Sequence, residues 1–421
     1  MIRGFGNSQD VSVPEEGFVI SNSFTKLGLS GTLTQRLHEL GFIEPTEIQT
    51  KTIPAALAGR CIMSTAETGS GKTAAFLLPV IQRLKQPGAM RALILAPTRE
   101  LATQIEINAR SFSRSSRLRT MSAVGGESLV RQTQTLKSGV DILVATPGRL
   151  NDLIERGIVT LKAIEVLVLD EADRMLDMGF LPQVRRIVRH LPRKRQTMLL
   201  SATLSSAVEQ LARELMTDYL RIEDRQTPTV ATLNQKAYSV LSHAKTPLLM
   251  ALLKHYSDQS FLVFIQTRRG AERLSRILEA NRYEVVSLHS DRSQSQRNRA
   301  MATFRAGKAR VMVATDVAAR GIDVENIAFV VNYEVPPTVE DYIHRVGRTA
   351  RAGRNGCAMT LVSPEEEVIF ASIERRTGIQ VERSKLNGFS DGRSEEQVKL
   401  SSEIAKLRFS TTRSFGRSRS R

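Results

Sequence analysis

Tryptophan is absent from this chain of 421 residues, and aromatic side chains make up only 5% of it. That scarcity argues against a platform of exposed rings that would read RNA by base stacking. Cysteine is as rare. Cys61 and Cys357 each sit in a strand-like apolar run without CxxC spacing, the pattern of small buried hydrophobes rather than of a disulfide or a thiolate metal site. Six histidines are scattered without ligand spacing, so zinc is not indicated. No apolar run approaches the roughly 18 residues a membrane span needs. The opening Met1-Ile2-Arg3-Gly4-Phe5-Gly6 also lacks the apolar core of a secretory signal. The expectation is a protein without a membrane partner that stays where it is made, in the cytoplasm. Acidic residues are in deficit too, 43 against 60 Lys and Arg, for a net charge of +17. A surplus of that size points to a polyanion, RNA or DNA first. With few aromatics, contacts should run to sugar and phosphate.

What is present is an α/β pattern, repeated. Hydrophobic residues are 41% and charged residues 24%, as in soluble globular proteins. Residues 1–21 are polar and aperiodic and read as a flexible lead. From 22 to 222, apolar strands alternate with helical segments. Those strands are expected near Ile62, Ala92-Leu95, Ile142-Ala145, Val166-Leu169 and Met198-Leu200. A polar stretch, 223–235, reads as a linker. A second series over 236–384 places strands at Phe261-Ile265, Val285-Leu288, Val311-Ala314, Phe329-Asn332 and Ala358-Val362. Alternation of this kind predicts two doubly wound parallel sheets with helices on both faces. Beyond 384 the pattern changes to a basic extension. Ser394-Glu395-Glu396-Gln397 has the form of a capping box, with Leu400, Ile404 and Leu407 on one helical face. Thr411 to Arg421, rich in Arg and Ser, reads as disordered.

Two motifs carry chemistry. Ala66-Glu67-Thr68-Gly69-Ser70-Gly71-Lys72-Thr73 lies between apolar runs, the setting of a glycine-rich phosphate loop. There backbone N–H groups and a helix N-terminus surround phosphate oxygens. Lys72 would reach the β/γ-phosphates and Thr73 would ligate Mg²⁺. Asp170-Glu171-Ala172-Asp173 follows the apolar strand Val166-Leu169, so its charges lie at the carboxyl edge of a sheet, where α/β proteins bind ligands. The second half has no phosphate loop of its own. One nucleotide, bound on the first half and closed over by the second, is the simplest arrangement.

Over about Phe24 to Arg354 the chain resembles a DEAD-box RNA helicase, and in brevity it is similar to the short bacterial members. The resemblance implies two RecA-like domains joined by a linker, with ATP and Mg²⁺ in the cleft. It implies adenine recognition by Gly41 to Gln49, with Thr46 and Gln49 on the base and Phe24 stacking on it. A Gln amide offers one donor and one acceptor to the adenine edge. Glu67 stands where the family usually has Gln, and the loop contacts fall to Thr68, Gly69, Ser70, Gly71, Lys72 and Thr73. Asp170 would hold Mg²⁺ through its waters, and Glu171 would deprotonate the attacking water. Asp173 would bond Ser201 and Thr203 of Ser201-Ala202-Thr203, and together with His344 couple nucleotide state to domain closure. His344-Arg345-Val346-Gly347-Arg348-Thr349-Ala350-Arg351 resembles the arginine-finger motif. Arg348 and Arg351 would neutralise the transferring phosphoryl, and Asp323 would bond the ribose.

RNA contacts, by the same resemblance, come from Pro97, Thr98, Arg99, Gly125, Gly126, Thr146, Gly148 and Arg149 in the first domain. In the second they come from Thr267, Gln294, Arg297 and Thr315. None suits base-edge reading, so binding should be sequence-independent, with 2′-hydroxyls favouring RNA over DNA. Ser290 replaces the usual Gly after His289. The implied activity is RNA-dependent ATP hydrolysis that pries apart short duplexes or remodels RNA–protein complexes. Two alternatives stay open: an RNA clamp whose ATPase is a timer, and a DNA helicase, disfavoured by Asp173 at the fourth acidic-box position. A monomer is expected, with protein partners in ribosome assembly or RNA decay; the RNA itself is left unnamed.

Overall fold

The computed structural model describes residues 23–66, 69–223, 233–319, 327–349 and 356–392. Two seven-stranded sheets organise it. The first contains β1 (Ile62–Thr65), β2 (Ala92–Leu95), β3 (Thr120–Ala123), β4 (Ile142–Ala145), β5 (Val166–Leu169), β6 (Gln196–Ser201) and β7 (Leu220–Glu223), in the order β3-β4-β2-β5-β6-β1-β7. The second contains β8 (Asn234–Ser239), β9 (Phe261–Phe264), β10 (Val285–Leu288), β11 (Val311–Ala314), β12 (Phe329–Asn332), β13 (Cys357–Val362) and β14 (Glu382–Arg383), in the order β10-β11-β9-β12-β13-β8-β14. Every strand pair is parallel. These are the two RecA-like α/β units expected.

Strand periodicity divides the cores. Within the first sheet Ile94, Val144 and Val168 enter one apolar layer with Phe24 and Phe76. Their neighbours Leu93, Leu95, Leu143, Leu167 and Leu169 enter the opposite layer with Met175 and Leu211. Because successive side chains point to opposite faces, a strand covered on both sides must be apolar throughout, and β2, β4 and β5 are buried at every position. The second sheet repeats the scheme. Phe261, Val263 and Val313 enter one layer, and Leu262, Phe264 and Met312 another.

The ten expected strands fall where the apolar runs predict. β3, β7, β8 and β14 were not anticipated, and all lie at or next to a sheet edge. Their burial is mixed (β7 is exposed at two of four positions), so no continuous apolar run marks them. Both ends of the expected linker are strand: Glu223 closes β7, and Asn234 and Gln235 open β8. The stretch between, 224–232, lies outside the described residues, as do the expected lead and the tail from 393 onward. Among the described residues, no helix is long and apolar enough to cross a membrane.

Candidate functional site

β1 delivers the chain to Gly69-Ser70-Gly71, and the helix Lys72–Leu84 starts at once. Gly71 is its N-cap, with φ +93°, and a Cβ there would collide with the Gln49 amide. Only glycine fits. The Gln49 carboxamide accepts from the Thr46 N–H at 3.0 Å and donates to the Gly71 carbonyl at 3.2 Å. Gln49 therefore ties the Gly41–Gln49 element to the phosphate loop. Phe24, by contrast, is fully enclosed in the core of the first unit. A ring buried there has no face to offer a base, which corrects the stacking expected of it. Lys72 is buried and donates to the Ala66 carbonyl. Thr73 follows in the first helical turn.

The acidic box opens at the end of β5. Asp170 is buried, and burial pushes its carboxyl up to about 7, with Lys72 opposing and Glu171 and Asp173 adding repulsion. Lys72 compensates that buried carboxylate only in part. Among the described residues there is no cluster of three His, Cys, Asp or Glu side chains that could hold a metal alone. The donor set fits a hard, mostly hydrated cation of the Mg²⁺ kind, shared with phosphate oxygens. Glu171 is left-handed, φ 51° and ψ 54°, a conformation that costs a non-glycine residue about 1–3 kcal/mol and clusters at functional sites. Asp173 Oδ2 accepts three bonds: from Ala202 N (3.0 Å), Thr203 N (2.9 Å) and Thr203 Oγ1 (2.9 Å). Burial works against its charge, yet its carboxyl stays below the usual range because the neighbouring His344 and Lys72 and the hydroxyls of Thr203 and Ser201 outweigh it. The Ser201 hydroxyl donates to the Thr203 carbonyl at 2.7 Å and so shapes the turn that Asp173 grips.

From the second unit, the helix Val339–Val346 brings His344 into the same cleft. Its Nδ1 lies 2.6 Å from Nη2 of Arg174. Burial and then the neighbouring Arg174 guanidinium lower the imidazole to about 3, so the ring is a neutral acceptor. Arg348, in the turn that follows, is buried and donates from Nε to the His344 carbonyl at 3.2 Å. Arg345 has another task. Its fork is held by both Asp316 oxygens at 2.6 and 2.8 Å and by the Glu334 carbonyl at 2.8 Å, over the Phe264 ring. It braces the second unit internally. Thr68, Asp323 and Arg351 lie outside the described residues.

The residues expected to touch RNA collect at the carboxyl ends of β2, β3 and β4 in one sheet and of β9, β10 and β11 in the other. In each sheet these are the three strands at one side of the order. Pro97 and Thr98 are buried. Thr98 caps the helix Arg99–Phe112 by accepting from Leu101 N at 3.2 Å, and Arg99 lies over Gly125 and Gly126. Gly148 has open space where a Cβ would be, and Thr146 precedes the helix Pro147–Glu155. Arg149 donates to Gln132 Oε1 at 2.6 Å. Thr267 caps the helix Arg268–Ala280, and Thr315 is buried after β11. Gln294 and Arg297 both reach across the cleft to Glu100 Oε1, at 3.2 and 2.9 Å. Their observed contact is between units, and sequence reasoning missed it, along with Arg174 and Arg345. The i, i+3 spacing of Gln294 and Arg297 puts them on one face but does not say what that face meets.

Fold and site together define a nucleotide-driven device in which two RecA-like units share one cleft and present one polyanion-binding face. A DEAD/DEAH box helicase family model matches residues 46–211, and the helicase conserved C-terminal domain matches 244–353. The chain is 40% identical over 91% of its length to RNA helicase CrhR of Synechocystis, covering 79% of it. It is 45% identical over 80% to DEAD-box ATP-dependent RNA helicase 30 of Arabidopsis thaliana, covering 58%. Its structure resembles S. cerevisiae Dbp5 bound to RNA and ADP BeF3, with TM-score 0.80, 30% identity, and coverage of 92% of this chain and 99% of that one. The chain belongs to the DEAD-box RNA helicase family. The likeness is to the family at large and does not single out its short bacterial members.

Proposed function

We propose that this chain is an RNA-dependent ATPase that closes its two units on single-stranded RNA, unwinding short duplexes locally or remodelling RNA–protein complexes. The observation that carries this reading is the closed cleft. Arg174 meets His344 and Glu100 meets Arg297, which brings the helix after the acidic box of one unit onto the His344 helix of the other. The same closure aligns the two sets of RNA-facing strand ends.

Lys72 and the N–H groups of the loop bind phosphate oxygens, while Gln49 and Thr46 orient the base. Thr73 and Asp170 would hold Mg²⁺, which would supply charge neutralisation at the phosphates. Glu171 accepts the proton of the attacking water. Arg348, with Arg351 and the ribose contact of Asp323, comes from the second unit, so hydrolysis waits on closure. RNA is held through sugar and phosphate by Thr98, Arg99, Gly125, Gly126, Thr146, Gly148, Arg149, Thr267 and Thr315. The same proposal takes the chain as a cytoplasmic monomer of two units, the first running through Glu223 and the second starting by Asn234, with a basic tail.

ATP turnover measured with RNA and with DNA of matched sequence tests this. RNA should stimulate turnover and DNA should not. Glu171→Gln should then accumulate as a closed form holding ATP and RNA. Equal stimulation by DNA would indicate a DNA helicase. RNA retention in ATP no longer than wild type would remove Glu171 from its role.

A further inference from the structure

We infer that Arg174, the residue directly after the acidic box, is the positioning residue that seats the arginine-finger helix on the first unit. This rests on the ATPase reading above and deepens it. Arg174 and Asp173 occupy one turn of the helix Ala172–Asp177. The Arg174 N–H bonds Asp173 Oδ1 at 2.9 Å, while Asp173 Oδ2 holds Ala202 and Thr203. The side chain of Arg174 is 2% exposed and crosses the cleft. Nη2 reaches His344 Nδ1 at 2.6 Å, and Nη1 lies 3.5 Å from Asp341 Oδ1 and 3.5 Å from Asp177 Oδ2.

Asp341 and His344 stand at i, i+3 on the helix Val339–Val346 and so share a face. The receiving side is prepared: Thr338 Oγ1 donates to Asp341 Oδ2 at 2.8 Å, leaving Oδ1 toward the guanidinium. The carbonyl of His344 accepts Nε of Arg348 at 3.2 Å. A short path thus runs from Asp173 and Arg174 through His344 to Arg348. A planar fork can hold two acceptors in fixed directions, which the point charge of lysine cannot. The principal acceptor is a neutral ring. The contact is therefore directional without being a tight buried ion pair, and it can release when the cleft opens.

The test uses the full chain with Arg174→Ala, Arg174→Lys and Asp341→Asn. Two quantities are read: RNA-saturated turnover, and closure by energy transfer between fluorophores on the two units in ATP and RNA. Arg174→Ala should lose tenfold or more in kcat, the scale of a hydrogen bond to a charged group. Its KM for ATP should stay within about threefold, because the phosphate loop is untouched. Closure should weaken in parallel. Arg174→Lys should remain impaired, and Asp341→Asn should be intermediate. Arg174→Ala combined with Arg348→Ala should be no slower than Arg348→Ala alone. Wild-type closure and turnover in Arg174→Ala, or a loss that adds fully to that of Arg348→Ala, would overturn the inference. Should Arg174→Ala not fold, Asp341→Asn carries the same test from the other unit. Absent RNA-stimulated turnover in the wild type, the ATPase reading itself fails; normal wild-type turnover with unaffected variants sinks only the role of Arg174.

Discussion

Gly71 is constrained twice, by its φ of +93° and by the Gln49 amide where a Cβ would go. Gly71→Ala should therefore weaken ATP binding at least tenfold, or about 1.4 kcal/mol, with the fold retained. Calorimetric titration with ATP and a far-ultraviolet spectrum check both halves. Arg345 and Arg348 lie three residues apart, yet Arg345 is bound to Asp316 within its own unit while Arg348 bonds the carbonyl of His344, whose ring meets Arg174 of the other unit. Removing one partner of a buried, hydrogen-bonded pair costs about 3–5 kcal/mol. Arg345→Ala should lower the stability of the second unit by that order in denaturant unfolding. Arg348→Ala should leave unfolding nearly unchanged and reduce turnover.

The helix Val339–Val346 makes closure sensitive to acid. In the closed form burial and Arg174 hold His344 near 3, below its ordinary 6.5. Opening returns the ring to water. Below about 6.5 the open form takes up a proton that the closed form refuses, so closure is favoured above 6.5 and is lost as pH falls from there toward 3. The effect can reach about tenfold per pH unit. Closure measured by energy transfer should fall between about pH 6.5 and 5.5, and His344→Gln, which keeps an acceptor but has no titrating group, should remove that step. Elements were unequally legible in the sequence. Val166–Leu169 and its neighbours announce themselves because burial on both faces demands unbroken apolar runs. β3 (burial alternating along its length) and β7 are edge strands whose pairing comes from their neighbours. Nothing local marks them.

For the whole molecule, the net charge of +17 predicts strong salt dependence. Lys406, Arg408, Arg413, Arg417, Arg419 and Arg421 follow the last acidic residue, Glu403. Each phosphate neutralised on a single strand contributes about −0.7 to the slope of log affinity against log salt, and six cations could supply up to about 4 units. Deleting 406–421 should flatten that slope and weaken RNA binding while RNA-saturated kcat holds; an unchanged slope would show that this stretch does not touch RNA. The chemistry of the nucleotide site was readable in one dimension. A phosphate loop and an acidic box are contiguous runs whose spacing is set by a single strand-to-helix turn. The contacts that make one cleft of two units were not. Arg174 with His344 is separated by 170 residues and Gln294 with Glu100 by 194, and no local period relates them. The same holds for Phe24, whose type suits either stacking or burial, and whose place in the core was decided by the packing of helices around β1 and β2. Local sequence determines which groups stand at the strand ends. Only the docking of one sheet edge against the other decides which of them meet.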